Sequence, residues 1–414
     1  MKLALCALLA AASVPCAARA DDELEAKFQS TYVWQSKPAL HSPYEGAHSL
    51  SAVREKAYTF SATAFLTWHA APDTEWHLDL EAVQGVALSR LQGLGGMANG
   101  EAQKTAGPRL VPYRARVFLR HTFLQQGERD RIVVSAGNFA VNDIFDKSAY
   151  AGDPRTQFLN WGFITHGAFD FPADARGYTN GAVVEAYRGE WQVRAGRFML
   201  PKEPNGTALD WRLARHYGDV VEVVHTHAIA GREGNVRILA FRDRAVMASY
   251  ADALALAPGM PSLDAVRGPE KSKTGWGIAL DQQIAPGVGL FIRAARADGR
   301  TEVYAFAEID RSLSAGLLLK GGAWDRADDT LGIALARHGL SAPHRNYLAA
   351  GGLGFFVGDG GLNYAPETIA EAFYSARVMS HCWLALDVQW IRNPGYNADR
   401  GPARVISARV HAEF

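Results

Sequence analysis

Between residues 140 and 179 the chain gathers Asn142, Asp143, Asp146, Asp153, Arg155, Gln157, Asn160 and Trp161, followed by Phe169 and Phe171. Carboxylate, guanidinium and amide groups interleaved with aromatic rings suit a neutral polyhydroxylated solute. The rings stack on its C–H faces, and the planar polar groups make paired hydrogen bonds to its hydroxyls. A second cluster, Glu302, Tyr304, Glu308 and Asp310 within 299–311, has a similar makeup. Other chemistries fit less well. Asp143, Asp146 and Asp153 could hold a calcium ion, but their spacing is not that of the helix–loop–helix site. His225 and His227 share a strand face with no third ligand at a recognisable metal spacing. Gly351 to Gly361 is glycine-rich but lacks the strand-then-helix context of a phosphate loop. Asp79 and Glu81 could suggest a glycosidase pair, yet they alternate along one strand face as wall residues do. No catalytic group, metal or cofactor is therefore assigned.

The elements that must hold these residues show a period of two. Tyr58, Phe60, Ala62, Ala64, Leu66 and Trp68 form one face of a segment whose other face is Thr59, Ser61, Thr63, Phe65 and Thr67. Trp76, Leu78, Leu80 and Ala82 alternate likewise with His77, Asp79 and Glu81. Such alternation predicts strands with one apolar and one mostly polar face. Aromatic ends with small aliphatics between them suit a surface that meets lipid, because aromatic rings prefer the two membrane interfaces. The pattern predicts strands near 26–36, 58–69, 76–87, 114–124, 131–139, 180–188, 191–199, 217–227, 234–246, 274–284, 288–298, 312–321, 329–338, 367–378, 382–392 and 403–414. Several reach the roughly 9–11 residues that a tilted strand needs to cross a bilayer. Joins alternate between long, such as 37–57, 140–179 and 339–366, and short, such as Gly189-Glu190 and Ser380-His381. An all-β, transmembrane antiparallel β-barrel of about sixteen strands predicts this asymmetry, with long extracellular loops folding into the lumen.

A closed barrel also answers a solvation problem. The polar strand faces carry Asp79, Glu81, Arg114, Arg116, Arg120, Glu185, Arg194, Glu222, Arg237, Arg293, Glu371, Arg377 and Arg409. Buried unpaired in a dry core, each would cost several kcal/mol. About sixteen strands enclose more space than side chains fill, so these residues are expected to line an aqueous pore. Arg114, Arg116 and Arg120 are expected to form a basic ladder on one face.

Composition narrows the class. Acidic and basic residues balance at 43 each, without the basic excess of a nucleic-acid binder. Beyond the start of the chain no run approaches the ~18 apolar residues of a spanning helix. Met1-Lys2, the apolar run Leu3 to Val14 and Ala18-Arg19-Ala20 predict a secretory signal peptide over 1–20, leaving 21–414 as one barrel domain. Cys6 and Cys16 would leave with it, and Cys382 alone cannot form an intrachain disulfide. The last segment puts Ile406, Ala408, Val410, Ala412 and the terminal Phe414 on one face, as the closing strands of outer-membrane barrels do.

Several stretches resemble the carbohydrate-selective outer-membrane porins of the OprB family. They are Ala136-Gly-Asn-Phe139 with Asp143-Ile-Phe-Asp146, Asp153-Pro-Arg-Thr-Gln-Phe158, Gly177-Tyr-Thr-Asn-Gly181, Ala195-Gly-Arg-Phe198, Glu308-Ile-Asp-Arg-Ser312, Gly351-Gly352 with Gly358-Asp-Gly360, and Asn393-Pro-Gly-Tyr396. Phe373-Tyr374 and Gly395 depart from the family pattern of two tyrosines and an alanine. The resemblance implies passive diffusion of sugars, monosaccharides such as glucose, through a sixteen-stranded channel with a charged, inward-folded constriction. The expected partners are small-molecule sugars and outer-membrane lipid, with the chain a monomer or homotrimer in the outer membrane. The alternative is a general or weakly anion-selective porin, favoured if the arginine ladder dominates the narrowest point. A barrel enzyme or adhesin is the reading from a different class.

Overall fold

The computed structural model describes residues 24–414 apart from 106, 127–129 and 306, so the expected signal peptide lies outside the described residues. The strands are β1 (Leu24–Lys37), β2 (Glu55–Ala71), β3 (Thr74–Val86), β4 (Gly107–Gln126), β5 (Asp130–Phe139), β6 (Thr179–Arg188), β7 (Trp191–Phe198) and β8 (Tyr217–Ile229). They continue as β9 (Arg232–Val246), β10 (Glu270–Ala285), β11 (Val288–Ala297), β12 (Arg311–Gly321), β13 (Arg326–Gly339), β14 (Glu367–Met379), β15 (Cys382–Arg392) and β16 (Ala403–Glu413). Each pairs with its sequence neighbours, and β16 returns to β1, so the antiparallel sheet closes. The closing ladder runs from Gln29 opposite Glu413 to Ser36 opposite Ile406. Beyond it, Phe28 and Phe414 exchange two backbone hydrogen bonds, at 3.0 and 2.8 Å. Phe414 thus extends the seam, and each described strand has a partner on both sides over at least part of its length.

The two faces divide as the alternation predicts. Thr59, Ser61, Thr63, Asp79 and Glu81 are buried inside, while Trp68, Trp76, Leu78 and Leu80 are exposed outside. Trp34, Trp276 and Trp390 sit towards the long-loop end of the outer face; Trp68, Trp76 and Trp191 sit towards the short-turn end. Two such aromatic belts are what a barrel with a lipid-facing outer surface requires.

The structure corrects two sequence expectations about β4. The strand begins at Gly107 rather than near 114, despite Pro108 and Pro112. Its pairing with β5 starts only at Val117 opposite Asn138, so the proline-bearing stretch has one neighbour, β3, and needs no donors on the other side. Arg114 was expected on the inner face with Arg116 and Arg120. A bulge at Ala115 intervenes: Asp79 pairs with Arg116, but the next residue, Leu80, pairs with Arg114. One extra residue reverses the alternation, so Arg114 shares the outer face with exposed Leu80, and Tyr113 takes the inner face beside Glu81.

At the long-loop end the helices Tyr250–Leu256 and Ala342–Ala349 pack together over the barrel mouth. Tyr250, Leu263, Tyr347, Phe356 and Tyr396 form an apolar cluster there. Ser249 and Ser341 cap the helices by accepting from the backbone N–H of Asp252 and His344. Glu308 and Asp310, expected at the solute pathway, brace this cap, and Glu308 also edges the open space at the long-loop end. Glu308 accepts from the N–H groups of Phe356 and Val357 at 2.7 Å, and Asp310 lies 2.9 Å from His344 Nδ1. A buried turn offers unpaired backbone donors, and a carboxylate meets that need better than it meets a passing solute.

Burial alone would lower the pKa of His344, but Asp310 and Glu308 outweigh it and push the value up to about 9 from an ordinary 6.5. A raised folded-state pKa stabilises fully below pH 6.5 and is lost as pH rises through about 9. The cap is therefore expected to become more protease-sensitive between pH 7 and 10. Limited proteolysis of detergent-solubilised protein across that range checks it, and His344→Gln is expected to flatten the dependence.

Candidate solute pathway and constriction

The join between β5 and β6, residues 140–178, folds into the barrel and is largely buried. Phe145, Trp161, Phe169 and Phe171 pack with wall residues Phe139, Phe198 and Phe241. The segment's polar groups are met by the charged inner faces of the strands. Asp143 receives two bonds of 2.6 Å from Arg116, whose third nitrogen reaches Asp79 at 2.9 Å. Arg293 lies 3.2 Å from Asp146 and donates to the carbonyls of Phe163 and Ala151 at 2.6 and 2.7 Å. Glu371 accepts from the N–H groups of Leu159 and Asn160 at 2.6 and 3.0 Å. Arg409 donates to the carbonyls of Pro154 and Gln157 at 2.7 and 2.6 Å. Arg194 joins Glu222 to the carbonyl of Ile144, and Glu222 accepts from the N–H of Asp146.

These contacts correct a group of expectations. Arg194, Glu222, Arg293, Glu371 and Arg409 face inward, yet they clamp loop backbone rather than line open water. A loop inside a barrel exposes backbone N–H and C=O groups that need partners, and the nearest available groups are the wall charges. Arg237 pairs with Asp281 at 3.2 Å, and Asp281 in turn holds Ser148 and Ala149. Arg120 and Arg194 share Glu185, at 3.2 and 3.4 Å. Arg377 lies at the short-turn end, against Asp328 and the carbonyl of Ser380.

The remaining loop residues divide similarly. Asn160 caps the helical turn Trp161–Ile164 and bonds to Gln389 at 3.0 Å. Gln157 ties the loop to itself through Gly152 and Ala149. Trp161 stacks on Phe171 with centroids 6.0 Å apart, so its bulk serves loop packing while its edge reaches open space. His166, itself in the loop, is buried against the wall at Gly277 of β10.

A second loop also enters the lumen, which the sequence reading missed. Residues 94–102 are buried, and they join the first loop through Trp161 N–H to the Met97 carbonyl and Gly100 N–H to the Leu159 carbonyl. At Gly93 (φ 84°) a Cβ would collide with the backbone of Leu50, so only glycine fits that turn. This loop delivers Glu101 and Lys104 to the centre. Arg155 bonds Glu81 at 2.6 Å and Glu101 at 3.2 Å. Glu81 also accepts from Tyr113, from Tyr178 at 3.0 Å and from Thr63 at 3.1 Å. Lys104 lies 3.6 Å from both Glu81 and Glu101 and over the ring of Tyr178.

Around this network lies a cavity of about 200 Å³. Its edge is formed by Glu101, Lys104, Arg116, Asn142, Asp143, Lys147, Asp153, Arg155, Trp161, Arg176 and Tyr178. Towards the short-turn end a vestibule of about 370 Å³ opens, lined by Tyr150, Gln157, Asp328, Trp383 and His411. Arg155 borders both spaces. At the long-loop end a wider vestibule of about 710 Å³ is edged by Met260, Tyr347, Leu353 and Phe355. Glu101, Lys104, Lys147, Arg176 and Tyr178 were not foreseen as site residues. Only the Gly177-Tyr-Thr-Asn-Gly181 stretch carried a signal for one of them.

Residues 67–414 match the model of the OprB family, described as carbohydrate-selective porins. A structure of Pseudomonas putida OprB at high pH superposes with TM-score 0.72 at 17% identity, covering 95% of this chain and 94% of that one. Its low-pH structure gives 0.51 at 14% identity, with 94% and 92% covered. OccAB1 of Acinetobacter baumannii gives 0.53 at 8% identity, with 95% and 97% covered. No curated protein matches. With a closed sixteen-stranded barrel, an inward-folded charged loop and a family match over most of its length, the chain belongs to the OprB family of carbohydrate-selective porins.

Proposed function

We propose that the 200 Å³ cavity between the two inward loops is the sugar-selecting constriction of a channel in the outer membrane. The short-turn end would face the periplasm once a signal peptide over 1–20 had been removed. Family and fold are those of a channel rather than an enzyme, and passage needs only a concentration gradient. The observation that carries the proposal is the arrangement of Arg155, Lys104, Glu81 and Glu101 beside Tyr178 and Trp161. Cations and carboxylates held against one another offer fixed donors and acceptors for hydroxyls without a strong net field. The cavity is smaller than the roughly 300 Å³ of sites that enclose drug-sized ligands, which suits a monosaccharide such as glucose over a longer chain. Asp143, Asp153 and Arg155 act at this cavity; Asp146, Gln157 and Asn160 hold the loop that forms it. Liposome swelling is expected to be faster with hexoses than with disaccharides, and equal rates would remove size selection from the site.

One observation favours a second reading. Lys104, Arg116, Lys147, Arg155 and Arg176 outnumber Glu101, Asp143 and Asp153 at the cavity edge, which would give a weakly anion-preferring pore. Asp79 and Glu81 stand directly behind that edge and offset the excess. The reversal potential in a salt gradient is expected to lie near zero, and a strongly anion-selective value would favour the second reading.

A further inference from the structure

The outer face of the barrel carries, at its long-loop end, a band of arginines without counter-charges. Arg296 on β11, Arg311 on β12, Arg337 on β13, Arg392 on β15 and Arg404 on β16 are all exposed. Each stands at the end of an apolar stripe on the same face: Ile292, Leu313, Leu335, Trp390 and Ile406 follow them, in that order, towards the short-turn end. The register makes the arginines neighbours. Arg296 is directly opposite Arg311. Arg337 and Arg392 flank Thr368 of β14 from either side. Arg404 is opposite Trp390, one diagonal step from Arg392.

Among the described residues, none of the five has a side-chain hydrogen bond or an ion pair. Two other arginines near the long-loop end of the outer face are paired. Arg197 makes two bonds of 2.7 Å to Asp219, and Arg244 reaches Glu270 at 2.9 Å. Like charges placed directly opposite on a sheet destabilise it, so the Arg296–Arg311 pair gains nothing in an isolated barrel.

We propose that the β11–β16 sector of the outer face binds the phosphorylated headgroup of an anionic lipid in the leaflet on the long-loop side. Guanidinium groups grip phosphate oxygens through paired, charge-assisted bonds. Diagonal neighbours on a sheet lie about 7–8 Å apart, close enough for two arginines to hold one phosphate. Trp276, opposite Arg296, and Trp390 sit at the headgroup level, where their amphipathic rings belong. The apolar stripes below offer a surface for acyl chains. A second copy of this chain meeting the band in a symmetric contact would set arginine against arginine. A free anion would have no use for the apolar surface beneath.

The proposal rests on the membrane placement of the barrel, and its test separates the two. Wild-type protein and the triple variant Arg296→Ser/Arg311→Ser/Arg337→Ser are purified in detergent and incubated with a bis-phosphorylated diglucosamine lipid. Bound lipid is counted by native mass spectrometry, and folding is followed by the heat-dependent shift of the barrel in denaturing gels. The wild type is expected to retain at least five times more lipid than the triple variant. Arg197→Ser/Arg244→Ser, in the paired sector, is expected to match the wild type, and a dephosphorylated form of the lipid is expected to lose the difference. Equal retention by all three proteins overturns the proposal. Displacement by inorganic phosphate as effective as displacement by the lipid assigns the band to a soluble anion and overturns it too. A change of oligomeric mass in the triple variant, with unchanged lipid retention, assigns the band to an interface between copies. A wild-type barrel that fails to insert into planar bilayers takes the membrane placement down with the proposal.

Discussion

Arg155→Ala is expected to weaken sugar-dependent block of the channel by about 10–100-fold while raising its open conductance. The guanidinium bridges Glu81 and Glu101 and stands between the central cavity and the vestibule at the short-turn end. A hydrogen bond involving a charged group contributes roughly 1.5–3 kcal/mol, which corresponds to about that range in affinity at 1.4 kcal/mol per decade. Removing the side chain also merges the two spaces, so ions meet less obstruction. The two effects come from different atoms and can separate. Glutamine would restore part of the bulk without the charge, and is expected to recover the conductance more than the block. Planar-bilayer recording in salt, with glucose added to one side, reads both quantities. A conductance that rises with no change in block would leave Arg155 as a spacer and place sugar contact elsewhere. Lys104→Met serves as a companion: Lys104 touches the same two carboxylates from the other loop, so a similar loss of block is expected with a smaller change in conductance.

The strands were legible because each lies between two different surroundings and must alternate to suit both. Tyr58 to Trp68 announces a lipid face and an inner face in eleven letters, and the structure places its two faces as that pattern demands. Alternation says nothing, however, about what fills the inside. Arg293 and Asp79 look alike as inward charges in sequence, yet one secures loop carbonyls and the other backs the cavity through Arg116. That distinction depends on where a loop of some forty residues descends, which is a long-range outcome with no local period. Ala115 illustrates a different limit. A single inserted residue turned Arg114 outward, and nothing in the chemistry of Tyr113-Arg114-Ala115-Arg116 marks which residue bulges. The loop bearing Glu101 and Lys104 escaped notice because Gly95-Gly96-Met97-Ala98-Asn99-Gly100 has the small, weakly polar makeup of an exposed turn. The same smallness lets it pass close to the other loop inside the barrel.

If the wall charges are anchors, removing one should release the loop without unfolding the cylinder, and Arg293→Ala is the sharpest case. Arg293 is almost fully buried and holds Asp146 together with the carbonyls of Phe163 and Ala151. Its loss leaves a buried carboxylate and two carbonyls short of partners. Breaking one side of a buried pair costs about 3–5 kcal/mol, comparable to the whole margin by which many domains are folded. The penalty falls on the loop, because Arg293 meets its strand neighbours Ala279 and Ser314 through backbone ladders that the substitution leaves intact. Residues 140–178 are therefore expected to become sensitive to protease in the Arg293→Ala barrel, which still shows its heat-dependent gel shift. Conductance is expected to rise several-fold with unstable, flickering levels, and the preference for hexoses over disaccharides in liposome swelling is expected to disappear. Asp146→Asn in the same background should restore part of the loop's protection, since it removes the stranded charge. A variant barrel that kept both its protease resistance and its size selection would show that the aromatic cluster around Phe145, Trp161 and Phe169 holds the loop unaided, and the charges of the inner wall would then need another explanation.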